Sequence, residues 1–196
     1  MKRIFDITLS IFGIIILSPF YVVVSFLILI DSKGGVLYKQ DRVGLNGHIF
    51  KVFKFRTMNP DSFSKGALTV GSRDPRITSI GYYLRKYKLD ELPQLFNVLF
   101  GDMSFVGPRP EVKKYTDLYS DEQKKVLSVR PGITDYASIK FRNENDLLSE
   151  TDEPEKLYIN VIMPEKLALN MKYILDNNVF KDIEIIFSTF YTIIKH

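Results

Sequence analysis

The chain contains no cysteine. That absence excludes disulfides, a thiolate nucleophile and Cys-ligated zinc, and it fits a cytoplasmic active site. A strong net charge is missing as well, with 27 Lys and Arg against 23 Asp and Glu. So small a basic surplus suits anionic lipid head groups or phosphate substrates and selects neither. The basic residues are dispersed, with neither a zinc-finger spacing nor an aromatic RNA-binding signature, so no nucleic acid partner is expected. There is no internal repeat and no boundary between two soluble domains. A length of 196 residues provides for one compact catalytic unit plus a membrane element.

What the chain does have is an uncharged run from Ile11 to Ile30, reaching the ~20 residues a helix needs to cross a bilayer. A cleaved signal peptide would show a shorter apolar region and a small-residue cleavage site, and neither is present. Pro19 interrupts the run: in mid-helix it removes one backbone donor and collides with the carbonyl of Ile15, which bends or breaks the helix. Ser18 is placed to satisfy the freed carbonyl. Lys2 and Arg3 precede the run while Lys33, Lys39 and Arg42 follow it, so the positive-inside rule assigns neither flank to the outside. Two readings stand side by side on these grounds: a kinked transmembrane helix, since proline is tolerated in spans, and a helix with both ends cytoplasmic. Near the C-terminus, Val179, Phe180, Ile183, Ile186, Phe187, Phe190, Tyr191 and Ile194 recur at helical spacing. Such a helix lies in the lipid interface or packs on the protein core.

Between these ends, Asn46-Gly47 separates two strand-like runs, Val36 to Arg42 and Ile49 to Met58, and predicts a β-hairpin. Strand alternation puts Lys54 and Arg56 on one face with His48, Phe50 and Val52. Two neighbouring cations there suit a diphosphate, or simply solvent. Residues Asn59 to Asp74, rich in Ser, Gly, Lys and Asp, read as a mobile loop over a substrate. A helix follows, capped by Thr78 or Ser79, with Ile80, Tyr83, Leu84 and Tyr87 as its apolar side and Arg85, Lys86 and Lys88 at its end. The expected fold class is α+β, mostly helical with a small β-hairpin.

The most informative stretch runs from Leu89 to Asp102 and on to Val106-Gly107-Pro108-Arg109-Pro110. Asp90 reads as an N-cap with Glu91 in the first turn, and Pro93 is early enough for its missing donor to cost little. Leu92, Leu95, Phe96 and Leu99 form the expected buried stripe and Gly101 the stop. A helix start favours an ionised Asp. That placement suits a carboxylate nucleophile toward phosphorus, with Glu91 assisting a metal such as Mg²⁺, which prefers hard oxygen ligands and joins protein carboxylates to substrate phosphates. Plain helix capping is the simpler alternative. Proline torsions on both sides of Arg109 aim its guanidinium with little further ordering cost, ready for bidentate contact with phosphate oxygens. Arg130-Pro131-Gly132-Ile133-Thr134 repeats the theme, with a cation that anchors a turn or binds an anion.

Taken in order, Lys2-Arg3-Ile4-Phe5-Asp6, Ser18-Pro19, Gln40-Asp41-Arg42-Val43-Gly44, Phe53-Lys54-Phe55-Arg56-Thr57-Met58, the Asp90 to Asp102 segment, Met103 to Pro110 and Arg130 to Thr134 closely resemble the bacterial sugar transferase family. These are small monotopic phosphoglycosyl transferases. The resemblance implies a monotopic membrane protein, with a re-entrant helix (residues 1–33) broken at Ser18 and Pro19, a catalytic domain (34–196) on the cytoplasmic face of the bacterial inner membrane, and interfacial amphipathic helices. It implies Asp90 as nucleophile with Glu91 as its dyad partner, both near Mg²⁺, and Lys54, Arg85 and Arg109 around the substrate phosphates. A UDP-sugar is the implied donor and polyprenyl phosphate the acceptor, with the phospholipid bilayer, glycan-assembly proteins or a second copy of the chain as further partners. The implied reaction forms a phosphosugar on Asp90 and passes it to the acceptor. A non-catalytic membrane adaptor is the alternative reading. The chain departs from the family pattern at Asp135 to Asn143, where relatives resemble Gly-Trp-Ala-Gln-Val-Asn-Gly-Arg-Asn, and at Tyr82, a position often basic.

Overall fold

A computed structural model describes residues 1–60 and 74–195. The expected loop from Asn59 to Asp74 therefore lies for the most part outside the described residues. The first element is the helix α1, Lys2–Asp31, roughly 45 Å long at 1.5 Å per residue. It is long and apolar enough to cross a membrane. Ser18 and Pro19 do not interrupt it: the chain stays helical through Pro19, and Ser18 Oγ donates to Ile15 O at 2.8 Å, supplying the hydrogen bond that the proline cannot. Phe12, Ile15, Ile16, Val22, Val23, Phe26 and Ile30 are exposed while Asp6, Ser10, Val24 and Ile28 are buried. One face of α1 is thus packed on the protein and the opposite face is a bare apolar stripe.

The strands β1, Leu37–Val43, and β2, Ile49–Phe55, pair antiparallel with Leu37 opposite Phe55 and Val43 opposite Ile49. The expected hairpin is present. Its reversal is a five-residue loop closed by Gly44 N donating to His48 O at 2.8 Å. Asn46 and Gly47 both take positive φ, 54° and 80°, the backbone state that makes this dipeptide a turn signal.

Next come α2, Ser79–Lys86, and α3, Gln94–Phe100. Thr78 caps α2, its Oγ1 accepting from Gly81 N at 3.0 Å. The expected apolar side of α2 is only partly inside: Leu84 is buried, but Tyr83 and Tyr87 are exposed. The buried face of α3 is likewise rotated from the expected stripe, comprising Gln94, Leu95, Asn97 and Val98. Asn97 explains the rotation: its Oδ1 accepts from Phe53 N at 2.9 Å and its Nδ2 donates to Lys51 O at 2.8 Å. The helix is thereby keyed to the open edge of β2, using backbone groups that the hairpin leaves unpaired.

Beyond α3, β3, Ser104–Val106, lies parallel to β4, Gly132–Thr134, with α4, Lys113–Thr116, in the connection. The remaining helices are α5, Tyr136–Lys140, α6, Glu144–Ser149, α7, Pro154–Leu157, α8, Met163–Leu175, and α9, Val179–Ile194. Five π-helical residues, Tyr158–Ile162, join α7 to α8. Tyr115, Tyr119, Val126, Leu148, Tyr158, Ile162, Met163 and Leu167 form the largest core cluster. In α9, Asp182 and Ile185 face inward whereas Phe180, Phe187, Phe190 and Tyr191 are exposed, so one face of this helix packs on the core and the other is left apolar and uncovered.

Both ends of α1 are tied to this assembly. At the start, Arg3 donates to Val98 O and Leu99 O at 2.6 and 3.0 Å, neutralising the carbonyl end of α3. The Asp6 carboxylate accepts from Ser104 Oγ and Phe105 N at 3.1 and 3.2 Å, and Lys2 pairs with Asp182 of α9. At the far end, Arg56 donates to Ser32 Oγ, Ser32 O, Lys33 O and Gly35 O, at 2.6, 2.9, 2.9 and 2.5 Å. The Asp31 carboxylate accepts from Ile80 N at 2.9 Å. Arg56 is therefore a structural anchor and does not share a face with Lys54 toward a ligand: β2 ends at Phe55, so the strand alternation that paired them does not extend to residue 56. Because Arg56 is buried, Arg56→Ala leaves several acceptors dry at once. The expected loss is about 3 kcal/mol of unfolding free energy, of the order assigned to charged hydrogen bonds. Denaturant unfolding in detergent micelles measures it, and a change under about 1 kcal/mol would contradict this role.

Candidate active site

Between α2 and α3 the chain reverses through Lys88, whose left-handed φ of 56° leads into a single 3₁₀ turn, Leu89–Glu91. Asp90 and Glu91 sit on that turn. The expected cap is absent: α3 begins at Gln94, after Pro93, and neither the turn nor the helix has a side-chain cap. A tight turn followed by proline delays the helix by a full turn. Capping therefore does not account for the carboxylate pair.

The two carboxylates lie in opposite environments. Arg109 holds Glu91 with both terminal nitrogens, Nη1 to Oε2 at 3.0 Å and Nη2 to Oε1. Lys54 Nζ reaches Glu91 Oε1 at 2.8 Å. Burial alone would raise the Glu91 pKa, but Arg109 and Lys54 outweigh it and hold the group well below the usual carboxylate range. Asp90 is buried as well, and among the described residues no side chain donates to its carboxylate. Burial, aided by the neighbouring Glu91 charge, raises its pKa, against the pull of Lys54, Arg85 and Lys88. The expected stabilisation of ionised Asp90 by a helix start is thus replaced by burial in a positive field. Such a carboxylate is poorly solvated and reactive toward an electrophile that brings its own cation or meets these ones.

Three predicted phosphate-binding cations converge here by different routes. Lys54 comes from β2, and burial lowers its pKa against the opposing effect of Glu91. Arg109 comes from the loop after β3, its pKa pushed up by Glu91. Arg85 comes from α2 and donates from Nε to Thr57 Oγ1 at 2.9 Å; burial lowers its pKa, with Asp90 the first charge opposing that shift. Arg130 lies elsewhere: its Nε donates to Gly101 O at 2.9 Å, so it closes the end of α3.

The loop of Arg109 is held from several sides. Gly132 N donates to Pro108 O at 3.0 Å and Gly107 N to Thr134 O at 3.1 Å. Arg42 Nη1 donates to Pro110 O at 3.1 Å and lies 3.6 Å from Glu111. Tyr158 donates to the other oxygen of Glu111, and Lys166 joins Glu111 to Glu144 at 3.7 and 3.0 Å. Sequence reasoning missed Glu111, Tyr158 and Lys166. Nothing in their local sequence marks them, because each acquires its role from a partner more than 20 residues away.

The donor set also bears on a metal. Among the described residues no three acidic, His or Cys side chains form a metal cage. Glu91 Oε1 is filled by two donors while Oε2 receives one, and the Asp90 carboxylate is open. Two partly available hard oxygens fit Mg²⁺, which binds through one or two carboxylates and completes its shell with water and substrate phosphates.

The bacterial sugar transferase family model matches residues 1–196. The chain is 38% identical over 195 residues to the undecaprenyl-phosphate glucose phosphotransferase of Komagataeibacter xylinus, covering 96% of this chain and 35% of that protein. It is 35% identical over 192 residues to the UDP-glucose:undecaprenyl-phosphate glucose-1-phosphate transferase of Escherichia coli (strain K12), covering 96% and 39%. Against the exopolysaccharide production protein PSS of Rhizobium leguminosarum bv. phaseoli the identity is 38% over 197 residues, covering 96% and 92%. The chain thus spans little more than a third of the first two relatives and nearly all of the third.

Proposed function

The chain belongs to the bacterial sugar transferase family, and from that premise we propose that it transfers a sugar 1-phosphate from a UDP-sugar to polyprenyl phosphate, in the assembly of a bacterial glycan. The observation that carries this reading is the split carboxylate pair: Asp90 buried and open, Glu91 clamped by Arg109 and Lys54. An adaptor that used the pair only as a helix cap would need a cap that is not there.

In the proposed reaction an Asp90 oxygen attacks the sugar-bearing β-phosphorus, forming an acyl phosphate bond as the bond to the bridging oxygen breaks and UMP leaves with the electron pair. An oxygen of polyprenyl phosphate then attacks the same phosphorus and Asp90 departs as carboxylate, giving a polyprenyl diphosphate sugar. Arg109, Lys54 and Arg85 bind and orient the donor phosphates and stabilise charge on the equatorial oxygens. Asp90 and Glu91 would hold Mg²⁺, which when bound lowers the repulsion between an anionic nucleophile and an anionic donor. The test is to incubate purified protein with single UDP-sugars, Mg²⁺ and polyprenyl phosphate. UMP release with formation of lipid-linked sugar is expected for at least one donor; no release from any of a broad set of UDP-sugars would remove the proposal.

We further propose that residues 1–33 form a monotopic membrane element, with both ends of the continuous helix α1 on the cytoplasmic side, and 34–196 a catalytic domain on the cytoplasmic face of the inner membrane. What supports this topology is that both termini of α1 are bound to the same assembly, through Arg3 and Asp6 at one end and Asp31 and Ser32 at the other. A helix held at both ends by one body presents its bare stripe to lipid without carrying either end across. Since the chain has no native cysteine, single cysteines added ahead of Met1 and in place of Lys33 report cleanly. Both are expected to react with a membrane-impermeant reagent only after the cytoplasmic side is opened; reaction of either from outside indicates a span.

A further inference from the structure

We propose that Asp135 is a positioning residue for Arg109, and that its two carboxylate oxygens have separate tasks: one caps α5 and the other fixes the backbone that aims the guanidinium. The inference rests on the reading that Arg109 meets the donor phosphates. Asp135 is completely buried. Its Oδ1 accepts from Ser138 N at 2.6 Å, the capping bond of α5. Its Oδ2 accepts from Arg109 N at 3.2 Å.

That second bond has no substitute in the loop. Pro108 and Pro110 have no N–H, so Arg109 carries the only amide donor of the three residues. The peptides on either side are held through carbonyls, Pro108 O by Gly132 N and Pro110 O by Arg42. Among the described residues Asp135 alone holds the amide nitrogen of Arg109, one covalent bond from the Cα that sets the side chain's direction. The task also selects the residue type. Two backbone donors approach two different oxygens, and only an ionised carboxylate accepts at both; an amide would turn a donor toward one of them. The expectation from sequence, that proline torsions aim Arg109, is therefore incomplete: the prolines fix their own φ, and Pro110 restricts the ψ of Arg109, but the φ of Arg109, about the bond from its amide nitrogen, is left to the surrounding bonds.

Serine separates the two tasks, because it is a strong helix cap but offers one short oxygen in place of two. In Asp135→Ser, amide hydrogen exchange at Arg109 is expected to accelerate at least about tenfold while Ser138 stays protected. The kcat for UMP release is expected to fall about tenfold or more, as for a catalytic group misplaced by a fraction of an ångström. In an Arg109→Ala background the same Ser substitution is expected to change the rate less than about twofold, since there is no guanidinium left to aim. Unchanged exchange at Arg109, or rate losses that multiply in the double variant, would overturn the proposal. Should the Ser variant not fold, Asp135→Asn is read in the same way, its oxygen capping α5 and its amide nitrogen opposing Arg109 N. A parent protein that turns over no UDP-sugar refutes the transferase reading, and the exchange measurement then decides the role of Asp135 by itself.

Discussion

Asp90→Asn is expected to lower sugar-phosphate transfer by about 10⁴-fold or more, the scale on which removal of a covalent nucleophile is felt, while leaving the fold intact. The two halves of that expectation come from the same geometry. Asp90 is buried and receives no donor from any described residue, and its raised pKa means that ionisation is disfavoured in the folded protein relative to water. At neutral pH the charged form therefore costs stability, and an amide of the same shape removes that cost. An Asn variant that unfolds at the parent's denaturant concentration or above it, yet releases no UMP and carries no phosphosugar adduct, is the expected result. The contrasting variant is Glu91→Gln: it leaves Arg109 and Lys54 facing a neutral group, so stability and rate fall together. Full turnover by Asp90→Asn, or an adduct on another residue in the parent, would eliminate Asp90 as nucleophile.

Gly132→Ala is expected to cost several kcal/mol, about 3 or more, the range of forced overpacking and beyond. A Cβ at Gly132 would stand 2.1 Å from Gly107 N, 2.6 Å from Gly107 O and 2.7 Å from the carbonyl carbon of Val106. All three atoms are backbone, so no side chain can rotate out of the way. The partners must separate, and with them go the bonds from Gly132 N to Pro108 O and from Gly107 N to Thr134 O. The loop that carries Arg109 then loses its footing, so activity should fall further than unfolding alone explains at temperatures where the variant is still folded. Gly47→Ala is the control: that glycine has positive φ but nothing within 4 Å of a Cβ, so only conformational strain of about 1 kcal/mol is expected. Equal effects from the two substitutions, read by thermal unfolding and UMP release, would show that the crossing at Gly107 and Gly132 is not what holds the site.

Elements with a local physical cause were legible in the sequence. Asn46-Gly47 reversed the hairpin because its backbone preference belongs to the dipeptide itself, and Thr78 capped α2 because a cap is a bond over three residues. The Ser18 hydroxyl found the Ile15 carbonyl for the same reason. Where a neighbour distant in sequence decides, local reasoning failed. Arg56 left the ligand side for the end of α1, and the buried face of α3 rotated to seat Asn97 on β2. Tyr83 and Tyr87, apolar by spacing, stayed exposed.

Family membership was written in the linear order of residues: an apolar run with no charge across twenty residues, an acidic pair one residue ahead of a proline, and an arginine between prolines, in an order specific to one family. Residue type and short-range spacing suffice for that, because they set hydrophobicity, ionisation and torsional freedom directly. Folding was needed to show which of two adjacent carboxylates is left open and which is clamped, where both ends of α1 are tied, and that Asp135 reaches Arg109 across 26 residues. These depend on desolvation and on charges brought within a few ångströms by folding, quantities that have no value until the chain is packed.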